Sequence, residues 1–462
     1  MQLPFRIRTS FLRSSSPHVP CRRFSFILDS ARCFSSAMGS TAIGDVAATH
    51  PGLAKVVLKK GKAKVFQDGS PMVYSGAVDR IVGRPSPRTG DIVLVTNESE
   101  KPFAWGIYNS VSMFCVRLMQ MEEDSSRDPS SILDMEKLLQ LRMNNALDMR
   151  RRLGLPRSDT NAYRLVNSEG DRLSGLIVDV FSNHAVIASS AAWVEKYRSM
   201  IELLVRELLE IDDIKWRPSI EILKEEGLNI NLEYQKPISA ENRVKVTVFQ
   251  VMENGIHYIV SMEGQKTGFY ADQRDNRLLV GSLSKDRTVL DLFCYSGGFA
   301  LNAAFGGAVH VTGIDSSSPA LKLAEENYKL NNFDSSRISF LKEDATDFMK
   351  VALSDGKSWD LIILDPPKLA PSRKVLQRAA NKYHNLNGLA MRLTKKGGLL
   401  MTCSCSAAMT QSGSFLSILQ RAASSVGRRI TVLRKAGAAA DHPIDPSYPE
   451  GEYLTNVLLR VL

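Results

Sequence analysis

The sequence predicts an α/β chain whose C-terminal half is a doubly wound parallel sheet, preceded by a small all-β barrel and an α+β middle domain. Three observations carry this. From Gln265 onward, strand-like apolar runs and helical periodicity alternate regularly, as a parallel sheet with crossover helices requires. Residues 52–120 instead hold short apolar runs punctuated by Gly and Pro, the pattern of a small barrel. Two late apolar runs end in reactive groups: one leads into Asp365-Pro366-Pro367-Lys368, the other into Cys403-Ser404-Cys405-Ser406. Ligands and catalytic groups of open α/β sheets sit beyond the carboxyl ends of the strands. An acid and a thiol are therefore expected over one crevice.

At 462 residues the chain has room for two to three domains, and 44% hydrophobic with 23% charged residues is ordinary globular composition. It holds no apolar run of about 18 residues or more, which argues against a membrane span. The formal charge is +10, and the first 38 residues, with six Arg, no Lys and the single acid Asp29, supply +5 of it. What remains is mildly basic and compatible with a polyanionic partner. The leader is rich in Arg and Ser and lacks the continuous apolar segment of a secretory signal, so residues 1–38 read as an organelle transit peptide. Its Arg content favours the mitochondrial matrix over the chloroplast; the alternative is a disordered basic tail. Of six cysteines, Cys21 and Cys33 fall in the leader, and Cys115, Cys294, Cys403 and Cys405 show no framework spacing, so disulfides are not expected. Cys403-x-Cys405 lacks a second Cys/His pair, and no metal site is expected.

In chain order, strands are expected at 55–58, 63–66, 92–96, 103–108 and 112–118, with the basic cluster Lys59, Lys60, Lys62 and Lys64 at a turn. Residues 121–131 read as an acidic linker. A helix is expected over 133–153, with Leu138, Leu141, Met143 and Leu147 on its apolar face and Arg150-Arg151-Arg152 at its end. Strands then alternate with one clear helix at 194–209. This places a middle domain at 133–260 and the doubly wound domain at 261–462.

The first buried strand of that last domain runs through Asp291 into the glycine loop Phe293-Cys294-Tyr295-Ser296-Gly297-Gly298 and then a helix at 300–305. Glycines there allow close backbone approach to a ligand. The spacing is not G-x-G-x-x-G, so a dinucleotide pyrophosphate is disfavoured and a cofactor without phosphates fits better. The second strand ends in Asp315, 24 residues after Asp291, where an acid takes ribose hydroxyls. A third ends in Asp344, suited to an adenine amino group, and a fourth in Asp365.

These ordered segments resemble a class I S-adenosylmethionine-dependent methyltransferase. More closely, the chain is similar to the large-subunit ribosomal RNA cytosine-5 methyltransferases that carry an N-terminal PUA domain. The resemblance spans about residues 52–462. It includes Gly264-Gln265-Lys266-Thr267-Gly268-Phe269-Tyr270-Ala271-Asp272-Gln273-Arg274, the Asp291 to Phe299 loop, Asp365-Pro-Pro-Lys, Ser404-Cys405-Ser406, Ala440-Asp441-His442-Pro443 and Tyr448-Pro449-Glu450-Gly451. It implies S-adenosyl-L-methionine as cofactor, held by Lys266, Thr267, Phe269, Asp272, Arg274, Asp291, Phe293, Ser296, Gly297, Asp315, Asp344 and Asp365. It also implies that residues 52–120 bind RNA, with Lys59, Lys60, Lys62 and Lys64 on the phosphates. The partner is then large-subunit ribosomal RNA, with neither membrane nor metal, and the oligomeric state, homodimer included, stays open.

Cytosine C5 is a poor nucleophile. A thiolate adding to C6 makes C5 enamine-like, and loss of the C5 proton with expulsion of the thiolate restores the ring after methylation. The resemblance puts that thiol at Cys405, with Asp365 at cytosine N3. Cys403 reads as a packing residue, although strand alternation puts both thiols on one side. Cys294 is expected to pack against the ligand or simply in the core. The base for the C5 proton is unassigned; His442 is a candidate, against a structural role beside Pro443. Two rivals stand. An N-methyltransferase acting on guanine or adenine would favour an aromatic where Lys368 stands. A non-catalytic ribosome-assembly factor would keep the fold without the chemistry.

Overall fold

The structure, a computed structural model, describes residues 43–125, 127–229, 248–261 and 269–462. The leader and the segment carrying Lys266 and Thr267 lie outside the described residues.

Helix α1 (Ile43–Ala48) precedes strand β1 (Ala54–Leu58). Residues 63–66, expected as a strand, are instead helix α2 (Ala63–Gln67). Ala63 and Phe66 are buried three residues apart while Val65 is 51% exposed, so burial follows the helical period and not alternation. Gly61, at φ 74°, turns the chain into this helix. Strands β2 (Met72–Tyr74), β3 (Val78–Val82), β4 (Ile92–Thr96), β5 (Pro102–Tyr108) and β6 (Phe114–Met121) complete a six-stranded sheet in the order β2-β6-β5-β4-β1-β3. Its pairs are antiparallel except β1 with β4. Strand β3 had no sequence signal because none of its residues is fully buried.

The expected linker contains the short helix α3 (Glu122–Ser125). Helix α4 (Met135–Arg152) starts where the Asp134 carboxylate accepts the Lys137 N–H at 3.1 Å, an N-cap. Strands β7 (Ala162–Asn167), β8 (Leu176–Phe181) and β9 (His184–Ser189), helices α5 (Ala192–Lys196) and α6 (Arg198–Leu209), strand β10 (Asp213–Pro218) and helix α7 (Ile220–Glu225) follow, the strands ordered β10-β9-β8-β7. The single helix expected at 194–209 is broken at Tyr197 into α5 and α6. Leu138, Leu139, Met143 and Leu147 of α4 pack with Leu94, Trp105, Ile107 and Met119 of the barrel and with Leu165, Val178 and Ile187 of the middle sheet. The barrel thus shares a hydrophobic core with the middle region.

A hairpin of β11 (Val248–Glu253) and β12 (Ile256–Ser261) turns through Asn254 and Gly255 at φ 52° and 77°, left-handed as a two-residue hairpin turn requires. It docks on the C-terminal domain. Asn302 Nδ2 donates to the Tyr258 hydroxyl at 2.9 Å, and buried Glu253 pairs with buried Arg277 at 2.7 Å.

The last domain runs α8 (Arg274–Leu283), β13 (Thr288–Leu292), α9 (Gly298–Phe305), β14 (His310–Asp315), α10 (Ser318–Leu330), β15 (Ile338–Lys342), α11 (Ala345–Ser354), β16 (Trp359–Leu364), α12 (Leu376–Leu393), β17 (Thr394–Ser404), α13 (Ala407–Ser412), α14 (Phe415–Ser425), β18 (Ile430–Ala436) and β19 (Thr455–Val461). The sheet order is β15-β14-β13-β16-β17-β19-β18, parallel from β15 to β17 with β19 antiparallel to both neighbours. Strand order reverses between β13 and β16, so the crevice beyond their carboxyl ends is where such a sheet takes its ligand.

Candidate active site

Four adjacent parallel strands deliver their chemistry to that edge. Asp291 is the next-to-last residue of β13, Asp315 the last of β14, Asp365 the first beyond β16, and Cys405 the first beyond β17. The Cys405 thiol lies 3.6 Å from Asp365 Oδ1, within thiol-to-carboxylate hydrogen-bond reach. The structure separates the two thiols that strand alternation could not. Cys403 is wholly buried among β-sheet side chains, and its Sγ accepts from Asn456 Nδ2 at 3.0 Å. Burial, with Asp365 and Cys405 nearby, pushes the Cys403 thiol well above its ordinary value, so it stays protonated. Cys405 is only half-buried.

The loop holding Cys405 is tied down on both sides. Ala370 N–H donates to Ser406 Oγ at 3.0 Å, and Ser404 Oγ donates to the Tyr383 hydroxyl at 2.9 Å. Tyr383, on the inner face of α12, also lies 3.4 Å from Ser406 Oγ. Gln273 is the residue that sequence reasoning quoted but did not assign. Its Nε2 donates to Asp365 Oδ2 at 3.2 Å, and its Oε1 accepts from Asn276 Nδ2 at 2.8 Å, which fixes the amide's orientation. Asp365 therefore meets the Cys405 thiol on one oxygen and an amide on the other. The signal lay in Asp272-Gln273-Arg274, an amide between two charges just ahead of α8.

The glycine loop is bent sharply. Phe293, Tyr295 and Gly297 have φ of 64°, 49° and 82°. Two non-glycine residues held left-handed within five positions are a local strain of the kind that gathers at ligand sites. A Cβ on Gly297 would meet the Phe340 ring at 3.1 Å and Ala324 at 3.2 Å, so the turn admits glycine alone without rearrangement. Ser296 is buried in the same turn, its carbonyl accepting from Asn327. Cys294 is buried too, and a Cβ on Gly313 would come within 3.2 Å of its Sγ. Burial, then Asp291 and Asp315, push that thiol well up.

Asp315 accepts the Tyr295 N–H at 2.9 Å and the Ser317 N–H at 2.8 Å. Asp291 is wholly buried; Oδ2 accepts the Ala300 N–H at 2.9 Å, and Oδ1 has no hydrogen-bond partner. Burial first, then Asp365 and more weakly Asp315, push the Asp291 carboxyl well above the usual carboxylate range. Among the described residues this carboxyl meets no positive charge and a single hydrogen-bond donor, the Ala300 N–H. S-adenosylmethionine brings a sulfonium, an ammonium and ribose hydroxyls and no phosphate, so these residues fit it. Tyr270 and Tyr295 stack edge to face at 5.3 Å beside it, and the Tyr270 hydroxyl is pushed up by burial and by Tyr295, Asp272, Cys405 and Asp365.

The other expected residues lie apart from this cluster or serve the scaffold. Asp344 is exposed, and its carboxylate caps α11 by accepting from Thr346 and Asp347. Phe269 is buried against Phe181 and Tyr258. Asp272 accepts the Tyr453 hydroxyl at 2.7 Å. The Arg274 guanidinium is committed to Asp441, at 2.7 and 3.1 Å. His442, the candidate base, is buried with Nδ1 3.0 Å from the same carboxylate. Against the cost of its own burial, His442 and then Arg274 hold Asp441 well below the usual range. Among the described residues no group of three His, Cys, Asp or Glu could hold a metal. No described helix is long and apolar enough to cross a membrane.

An open sheet whose strand ends carry Asp291, Asp315 and Asp365 around a left-handed glycine turn is the architecture of an S-adenosylmethionine-dependent methyltransferase. The sequence pattern of the S-adenosylmethionine-dependent methyltransferase family matches residues 230–434, and that of the PUA-like domain matches residues 56–120. Ribosomal RNA large subunit methyltransferase I of Alteromonas mediterranea is 35% identical over 410 residues, 88% of this chain and 99% of that protein. The protein of the same name from Escherichia coli K12 is 32% identical over 409 residues, again 88% and 99%. The chain belongs to the ribosomal RNA large subunit methyltransferase I family. A solved methyltransferase complexed with SAH shares the fold at a TM-score of 0.71 and 20% identity, covering 88% of this chain and 99% of its own.

Proposed function

We propose that this chain forms 5-methylcytosine in large-subunit ribosomal RNA, with Cys405 as nucleophile. The observation that carries this is the 3.6 Å contact between the Cys405 thiol and Asp365 Oδ1. Asp365 takes the thiol proton, the thiolate sulfur bonds to cytosine C6, and the proton passes from Asp365 to N3, which draws the ring electrons away from C6. S-adenosylmethionine supplies an electrophilic methyl group to the C5 that this addition makes nucleophilic. A general base takes the C5 proton, the C5–C6 double bond re-forms as the Cys405 thiolate leaves, and N3 returns its proton through Asp365 to the thiolate, which restores both side chains. The Gln273 amide holds the second Asp365 oxygen, so the carboxylate presents a fixed face to thiol and base. The Tyr270–Tyr295 pair offers an aromatic wall for an unstacked base.

The barrel supports the RNA assignment. Lys59, Lys60, Lys62 and Lys64 are exposed around the start of α2. The far end of α2 is joined to the catalytic end of the sheet: Ser447 Oγ donates to the Gly69 carbonyl at 2.7 Å, and Thr410 of α13, just beyond Cys405, donates to the Tyr453 carbonyl at 3.3 Å. The segment between β18 and β19 thus touches both the barrel and the helix beyond Cys405, so RNA held by the barrel lies within reach of the site.

Nucleoside mass spectrometry tests this proposal. Large-subunit ribosomal RNA incubated with the protein and isotope-labelled S-adenosylmethionine should yield labelled 5-methylcytosine; label in a methylated guanine or adenine would refute the chemistry. The Arg-rich leader is further proposed to direct the chain to an organelle matrix, the mitochondrion ahead of the chloroplast. A reporter carrying residues 1–40 should colocalise with mitochondria, and diffuse cytosolic signal would refute targeting.

A further inference from the structure

Between Asp365 and Asp441 the sequence contains no Asp or Glu but 13 Lys and Arg. Five of these, Lys368, Arg373, Lys374, Arg378 and Lys382, lie on the loop after Asp365 and on the first turns of α12, and all are exposed. Arg378 and Lys382, four residues apart, share one face of the helix. The neighbouring Tyr383 points the other way, buried against Ser404 and Ser406. One helix therefore carries the support of the Cys405 loop on its inner side and a row of cations on its outer side. Among the described residues no carboxylate pairs with any of the five.

The placement works against the helix itself. The first turn of α12 has no acid, and Arg373 and Lys374 stand at the end where the helix dipole favours anions. Like charges four residues apart also repel. An external polyanion relieves both.

We propose that this row is a phosphate track for the substrate RNA, separate from the barrel lysines, gripping the strand next to the nucleotide that enters the site. The proposal rests on the RNA-methyltransferase reading and adds to it the path of the backbone. Each phosphate neutralised releases counterions, so binding should carry a salt dependence that falls as cations are removed.

The full chain with Lys374→Gln, Arg378→Gln and Lys382→Gln tests it, with in-vitro-transcribed large-subunit ribosomal RNA as probe across a salt series. The triple variant should bind RNA about 10- to 100-fold more weakly near 0.1 M salt, and its log–log salt slope should fall by about 2, at about 0.7 per single-strand phosphate contact. Its affinity for S-adenosylhomocysteine should not change. A charge-preserving Lys374→Arg, Lys382→Arg variant should keep the wild-type slope. Unchanged RNA affinity and slope in the triple variant, beside a wild type that methylates RNA, would overturn the track and leave the enzyme assignment standing. Loss of S-adenosylhomocysteine binding together with RNA binding would overturn it as well, by showing a structural role. A wild type that neither binds nor methylates the RNA would remove the parent reading and the track with it.

Discussion

Cys405 Sγ and Asp365 Oδ1 face each other at 3.6 Å across the ends of two neighbouring parallel strands. Neither residue reaches the other by sequence proximity; the pairing of β16 with β17 brings them together. The register Leu364 with Thr402 leaves the proline pair on one strand and the Ser-Cys-Ser turn on the other at the same level of the sheet.

Cys405→Ala should lower kcat by at least about 10^4-fold while leaving cofactor affinity unchanged, because the nucleophile is removed and the glycine loop is not touched. Cys403→Ala should keep methylation within about 3-fold and cost about 1 kcal/mol of stability, as a small buried side chain does. Single-turnover methylation and thermal melting of the two variants check this. Equal activity losses in both would return the choice of nucleophile to an open question.

Gln273→Glu should act through Asp365. A second carboxylate 3.2 Å from its Oδ2 favours the protonated form, so the acidic limb of the pH–rate profile should move upward. Gln273→Leu should instead reduce kcat about 10- to 100-fold, since it removes the amide that orients the second Asp365 oxygen. A purely structural role for Gln273 would lower stability in both variants and leave the pH profile in place.

Asp291 sets stability against function. Its carboxyl titrates higher in the folded protein than in the unfolded chain, so between the ordinary carboxylate range and its raised value the folded state holds a proton that the unfolded state has released. Stability of the ligand-free protein therefore falls as pH rises through that window. Asp291→Asn should remove this loss, raise the melting temperature of the ligand-free protein at neutral pH, and abolish cofactor binding. Melting curves with and without S-adenosylhomocysteine read both effects.

Asp441 has the opposite sign. Its carboxyl is held low by His442 and Arg274 despite burial, so the stability it contributes is present above the ordinary carboxylate range and is lost as pH falls toward its depressed value. Asp441→Asn leaves the buried Arg274 guanidinium with only the half-exposed Asp275 carboxylate at 3.7 Å and should cost about 3 kcal/mol. Denaturant unfolding at neutral pH measures this.

The placement of Asp291, Asp315, Asp365 and Cys405 at the strand ends was largely legible. Acids at 291, 315 and 365 and the thiol at 405 announce themselves because a parallel strand buried on both faces is an uninterrupted apolar run, and its end is therefore marked. The supporting residues were not. Gln273 and Tyr383 act through contacts spanning 92 and 21 positions, and the chain does not display such pairings before it folds. The barrel misled locally at 63–66, where a short apolar–polar run satisfies both periods until Phe66 is seen in the core. The Asp441 carboxylate, shared by Arg274, His442 and the Arg164 N–H, explains why Arg274 lies in the scaffold in a way no motif could convey.

The covalent step can be read directly with large-subunit ribosomal RNA transcribed with 5-fluorocytidine. Fluorine at C5 cannot leave as the proton does, so the thiolate cannot be expelled and the enzyme should stay bonded to the RNA. Mass spectrometry of the nuclease-digested protein should find a 5-fluoro-5-methylcytidine adduct on the peptide carrying Cys405, and none in Cys405→Ala. An adduct on another residue, or full methylation of normal RNA without any trapped complex, would contradict the mechanism.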